Sequence, residues 1–182
     1  MTIVSLMTWA RSRLANPVLE HSARTSVAAT ASLLTARLSR LPESYWAAIT
    51  TLIVMQSALG TTLPIARRQF AGTAVGAGLG AALVTSFAPS ILKFGAGIFL
   101  LGLICAALSH ANRQLRDRLD RTAYRYAGIS LAIVMLIAHS ESVWVVAVHR
   151  FIEVSIGIVV ALAITVLWPE PQLPVAPLPQ AI

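Results

Sequence analysis

Charged residues divide this chain into six long, low-charge windows, at residues 22–41, 44–62, 69–88, 91–110, 123–140 and 144–168. A helix that crosses a bilayer needs about 20 mostly apolar residues, and each window is close to that length. Together they use nearly everything between the two ends. Composition agrees: 57% of the 182 residues are hydrophobic, 12% are charged and the mean hydropathy is +0.75, all far from an ordinary soluble domain. The expected fold is therefore an all-α integral membrane protein with six transmembrane helices over residues 21–168, between an N-terminal segment (1–20) and a proline-rich tail (169–182).

A net charge of +7 with pI near 11 could suggest nucleic acid, but the cations sort by membrane side rather than forming one basic face. With a cytoplasmic N-terminus, the inside segments hold Arg11, Arg13, Arg67, Arg68, Arg113, Arg116, Arg118, Arg121 and Arg125, and the outside segments hold Arg37, Arg40 and Lys93. Nine against three is a positive-inside bias, and six spans return the C-terminus to the cytoplasm. Met1 to Ala10 precedes the charges Arg11 and Arg13 instead of following them, so it is not a signal peptide. It is expected to lie in the interface as a short amphipathic helix, with Trp9 at headgroup depth and Asn16-Pro17 ending it. The tail after Trp168-Pro169 is expected to be extended, and the single Cys105 excludes a disulfide framework.

Shifting the sequence by 80 residues aligns Ala47, Ile49, Thr50, Ile53, Val54 and Met55 with Ala127, Ile129, Ser130, Ile133, Val134 and Met135. One further residue aligns Phe70 and Gly76 with Phe151 and Gly157. If this is a true repeat, each copy holds three spans. An odd number inverts one copy relative to the other, as in transporters whose binding site lies near the midplane.

Polar residues at membrane depth are the candidates for function. Gly72, Gly76 and Gly80 recur every four residues among alanines, a smooth face for close helix packing. Arg68 is expected where a helix begins, so that guanidinium and unpaired amides would together favour an anion; as an alternative, Arg67 and Arg68 are anchors at the cytoplasmic interface. Thr61 and Thr62, after Gly60, could bind a carboxylate or cap the turn. Arg150 and Glu153 share one face of the last span. They pair with each other, or Arg150 lines a pathway that Glu153 tunes, with His139 and His149 adding pH sensitivity. Arg24 is either a third pathway residue or an inside anchor.

No Gly-x-Ser-x-Gly elbow, phosphate-binding glycine loop before a Lys, His-Glu-x-x-His helix or haem-type Cys pattern occurs in the sequence. Catalysis, a cofactor and a metal site are not expected, and transport without an ATP motif would draw on gradients or the membrane potential.

Several segments resemble the membrane module of the fusaric-acid-resistance-like (FUSC) family, within the aromatic acid exporter superfamily that includes plant aluminium-activated malate transporters. They are Tyr45-Trp46-Ala47-Ala48-Ile49-Thr50, Gly60-Thr61-Thr62-Leu63, Arg68 with Gly72-Thr73 and Gly76, and a fainter copy at His149-Arg150-Phe151, Gly157 and Leu167-Trp168-Pro169. The resemblance covers about residues 20 to 170. It implies a six-helix bundle in the bacterial inner membrane that exports or conducts organic anions, aromatic carboxylates in particular, and it adds Trp46 and Thr50 to the pathway candidates. Many family members carry a large cytoplasmic domain or a second six-helix module. This chain has a proline-rich tail there, so a homodimer or an assembly with another subunit is expected. The contrasting reading is a membrane scaffold that transports nothing and uses its glycine faces and tail to hold partner proteins.

Overall fold

A computed structural model describes residues 17–56, 58–86, 90–111, 121–137 and 142–169. The expected interfacial helix before residue 17, the Arg/Asp-rich connection before Arg121, His139 and the tail beyond Pro169 lie outside the described residues. Those that are described form six helices and no strand: α1 (Pro17–Leu38), α2 (Tyr45–Val54), α3 (Leu59–Ser86), α4 (Ile91–Ala111), α5 (Arg121–Leu136) and α6 (Val143–Leu167). Two of them, α4 over Ile91–Leu108 and α6, are long and apolar enough to cross a membrane. Large apolar side chains face outward, with Ile91 89%, Leu92 84%, Phe99 70% and Val159 64% exposed. A contiguous apolar exterior of this kind suits lipid rather than water.

Local chemistry sets the helix ends. Pro17 occupies the first position of α1, where its missing N–H costs nothing. At the other end, Leu41 N–H donates to Ala36 O (3.2 Å) and Arg40 N–H to Arg37 O (2.9 Å), with Arg40 at φ 56°. This is a Schellman cap with arginine at the left-handed position that usually takes glycine, followed by Pro42. The extended backbone of Met55 (φ −65°, ψ 122°) stops α2.

That stop corrects the expected span 44–62. At 10 residues, α2 rises about 15 Å, half of a hydrocarbon core of about 30 Å. The chain reverses direction between α2 and α3, and Gly60, Thr61 and Thr62 belong to the first turn of α3 rather than to a turn before it. Arg68 is therefore in the third turn of α3, not at a helix start, and the amides around it already serve the helix ladder. Pro64 lies in the second turn of α3, where its missing N–H takes one bond from the helix ladder at Gly60.

Glycines set the packing. A Cβ on Gly76 would overlap the Ala127 carbonyl group, and one on Gly72 the Ala123 carbonyl oxygen, while Gly80 lies against Leu131 and Val134. Rising numbers on both sides show that α3 and α5 run parallel. Gly157 of α6 meets the Ala47 carbonyl oxygen and Thr50 of α2, and Val54 packs with Ile158 and Ala161, so α2 and α6 are parallel too. Between the couples, α3 crosses α6 in the opposite sense, because Phe70 stacks on Phe151 (4.8 Å) whereas Ala77 and Ala81 meet Ala147.

The sequence shift maps these contacts onto one another. Gly76 on Ala127 becomes Gly157 on Ala47, and Phe70 touches its own counterpart Phe151. Since α2 parallels α6, α6 opposes α3 and α3 parallels α5, the matched helices α2 and α5 point in opposite directions. An approximate two-fold axis therefore passes near Phe70 and Phe151.

Candidate functional site

A cavity of about 260 Å³ lies where the two parallel couples meet. From α2 come Trp46, Ile49, Thr50 and Ile53, and from α3 come Gln69 and Thr73. Tyr126, Ile129 and Ser130 of α5 and Arg150 of α6 complete the wall. Under the shift of 80 or 81 residues, Trp46 matches Tyr126, Ile49 matches Ile129, Thr50 matches Ser130 and Gln69 matches Arg150. Eight of the ten lining residues are thus four matched pairs, which places the cavity on the approximate two-fold axis.

Among the described residues Arg150 is the only charged one in that wall, and it is 4% exposed. Its guanidinium lies over the Trp46 ring, 3.9 Å from the centroid, an electrostatic contact with the negative face of the indole. Two of its nitrogens, Nε and Nη1, have no hydrogen-bond partner among the described residues. Gln69 donates from Nε2 to Thr50 Oγ1 (3.3 Å), and its Oε1, like Ser130 Oγ, also lacks a partner there. Buried polar atoms are nearly always satisfied. The residues that carry these four atoms line one apolar-walled space with a single guanidinium in its wall, a combination that suits a ligand with a negative group and an apolar body.

Glu153, one turn beyond Arg150 and 1% exposed, has a different partner from the one expected. Its Oε1 accepts the backbone N–H of Glu43 at 3.1 Å, so this carboxylate caps the N-terminal end of the half-length α2, where negative charge is stabilising. Glu43 in turn accepts from Trp46 Nε1 (3.0 Å) through Oε2. Both carboxylates are thus used to fix α2 and the Trp46 ring, and neither lines the cavity. Together they hold in place the indole on which Arg150 rests.

The remaining candidates fall elsewhere. Arg24, fully buried, donates from Nη1 to Trp168 O (3.1 Å) and from Nη2 to Gln56 O (2.5 Å). It thereby ties the carbonyl ends of α6 and α2 together, a position favoured by both helix dipoles. Thr61 and Thr62 donate their hydroxyls to Ala58 O (2.8 and 2.9 Å), the carbonyl that also accepts their backbone N–H groups, so both are bonded back within the start of α3. Arg68 and His149 are half-buried, and neither lines the cavity.

Of the residues anticipated for a pathway, Arg150, Trp46 and Thr50 converge, Glu153 supports them from behind, and Arg24, Arg68, Thr61 and Thr62 do not join them. Gln69, Thr73, Tyr126 and Ser130 were not anticipated. Three of these could have been found by extending the internal shift, which sets Tyr126 opposite Trp46, Ser130 opposite Thr50 and Gln69 opposite Arg150. Thr73 offers no such signal, since its counterpart is Val154.

No curated protein matches the chain, and no solved structure does. The family model of the fusaric acid resistance proteins matches residues 18–178, which takes in all six helices and every residue of the cavity. A membrane-associated helical bundle with this site thus belongs to the fusaric acid resistance protein (FUSC) family.

Proposed function

We propose that the protein moves organic monoanions, aromatic carboxylates in particular, across the bacterial inner membrane, with the Arg150 cavity as the binding site on their route. The observation that carries this reading is the buried guanidinium stacked on Trp46 in the wall of a space otherwise lined by aromatic, isoleucine and small polar side chains. A carboxylate would be held by that guanidinium through charge-assisted hydrogen bonds, and a ring would occupy the apolar remainder. A lone arginine at mid-bilayer costs about 2.5 to 3.5 kcal/mol on insertion scales, so its place here calls for a compensating role. Glu153 and Glu43 are near enough to offset part of that charge, but the Glu153 hydrogen bond goes to the end of α2 and not to the guanidinium.

In this reading all six helices lie in the membrane as two inverted groups of three, with both termini cytoplasmic and α2 buried as a half-span. The site then sits between the repeats, as in other inverted-repeat transporters. With a negative cell interior, each outward-moving negative charge gains about 2.3 kcal/mol per 100 mV, so an anion route of this kind serves efflux without nucleotide hydrolysis. A second copy of the chain, or another subunit, would complete the assembly.

The test is flux. Purified protein in liposomes should release trapped benzoate faster than empty vesicles do, and faster still when the interior is made negative. Transport of no aromatic or dicarboxylic acid above the empty-vesicle rate would refute the proposal.

A further inference from the structure

We propose that Gln69 sets the valence of the anion that the cavity accepts, because it stands where the internal repeat would place a second arginine. This rests on the reading of the cavity as an anion site. Of the four matched pairs in the wall, three are chemically alike: Trp46 with Tyr126, Ile49 with Ile129, and Thr50 with Ser130. The fourth, Gln69 with Arg150, differs in charge. A pocket that is nearly two-fold symmetric in shape is therefore one-sided electrostatically.

The amide reinforces that asymmetry. Gln69 is 3% exposed, and its Nε2 is committed to Thr50 Oγ1. The oxygen that remains has no partner among the described residues. A ligand carboxylate held by Arg150 finds a cation. A second carboxylate on the same ligand would find no second cation among the described lining residues and would be desolvated without compensation. Monoanions are accepted on this account, and dianions are rejected by what Gln69 lacks rather than by size.

Gln69→Arg supplies the missing cation and removes the acceptor. The ratio of affinities for a benzenedicarboxylate over benzoate should then rise by about tenfold or more, since a unit charge a few ångströms away in a partly buried site is worth that much even when strongly screened. Two guanidiniums facing one cavity could impair folding, so the exchange variant Gln69→Arg with Arg150→Gln provides an independent check. It keeps one cation and moves it to the other side of the axis, and it should prefer benzoate as the natural protein does.

The experiment is calorimetric titration of the full chain in lipid nanodiscs with benzoate and with each benzenedicarboxylate, alongside liposome flux for the same proteins. A raised dicarboxylate ratio in Gln69→Arg, with benzoate preference kept in the exchange variant, supports the role of Gln69. Should a folded Gln69→Arg protein bind benzoate with an unchanged ratio, or should the exchange variant favour dicarboxylates, that role is overturned whatever the flux. Binding that follows the expected pattern with no flux in any variant removes transport and leaves the valence filter standing. Absence of binding by any acid to the natural protein overturns both.

Discussion

Gly76→Ala is expected to destabilise the protein by on the order of 3 kcal/mol, the upper range for forcing an extra carbon into a packed core. The added Cβ would overlap the Ala127 carbonyl oxygen, carbon and Cα. These are backbone atoms of a helix, so no side chain can rotate away, and α3 and α5 would have to separate along the contact that Gly72 and Gly80 extend. Gly78, half a turn on, is the matched control, because a Cβ there meets nothing within 4 Å. Gly78→Ala should be neutral or stabilising by up to about 1 kcal/mol, through better helix propensity and a less free unfolded chain. Thermal unfolding of the two variants in the same detergent gives the comparison. Equal midpoints would mean that α3 and α5 do not pack through the glycine face.

The other large effect falls on binding. Arg150→Ala should lower the affinity for benzoate by about a hundredfold, in the range measured when one partner of a buried charge interaction is truncated, and flux should fall in step. The fold should survive. Truncation strands no hydrogen-bond partner among the described residues, and although Glu153 and Glu43 lose a nearby cation, Glu153 keeps its bond to Glu43 N–H. Arg150→Lys should retain part of the binding, because an ammonium still neutralises a carboxylate but stacks less well on Trp46. Titration and flux on monodisperse protein test this, and undiminished benzoate binding by Arg150→Ala would place the anion elsewhere.

The helical class and four of the six helix positions were legible in the sequence, because long apolar runs separated by arginines leave few alternatives. The packing role of Gly72, Gly76 and Gly80 was legible for the same kind of reason: small residues four apart form one face. The half-length α2 was not. Residues 44–62 carry no charged side chain, and Met55-Gln56 at the break carries neither glycine nor proline, while Gly60 and Pro64, which resemble a boundary, lie inside α3. The same misplacement put Arg68 at a helix start and Thr61 and Thr62 beside it.

In the site, Arg150 stood out because a charge in an apolar helix has few explanations. Gln69 did not, since one neutral amide in a long helix signals nothing alone. Its meaning comes from the contact of Phe70 with Phe151, which brings matched positions together and sets Gln69 in the same cavity wall as Arg150. The partner of Glu153 was equally hidden, because an Arg and a Glu three residues apart suggest a pair, and only the packing of α6 along α2 shows that the carboxylate has the Glu43 N–H to hold.

The occupant of the Arg150 cavity is seen most directly in a structure of the protein with para-iodobenzoate, the iodine located by its anomalous scattering. The expected result is an iodine peak inside the cavity between Trp46 and Tyr126, with the carboxylate within hydrogen-bond distance of Arg150. Iodine found only on the lipid-facing surface, with Arg150 still over Trp46 and the cavity empty, would contradict it.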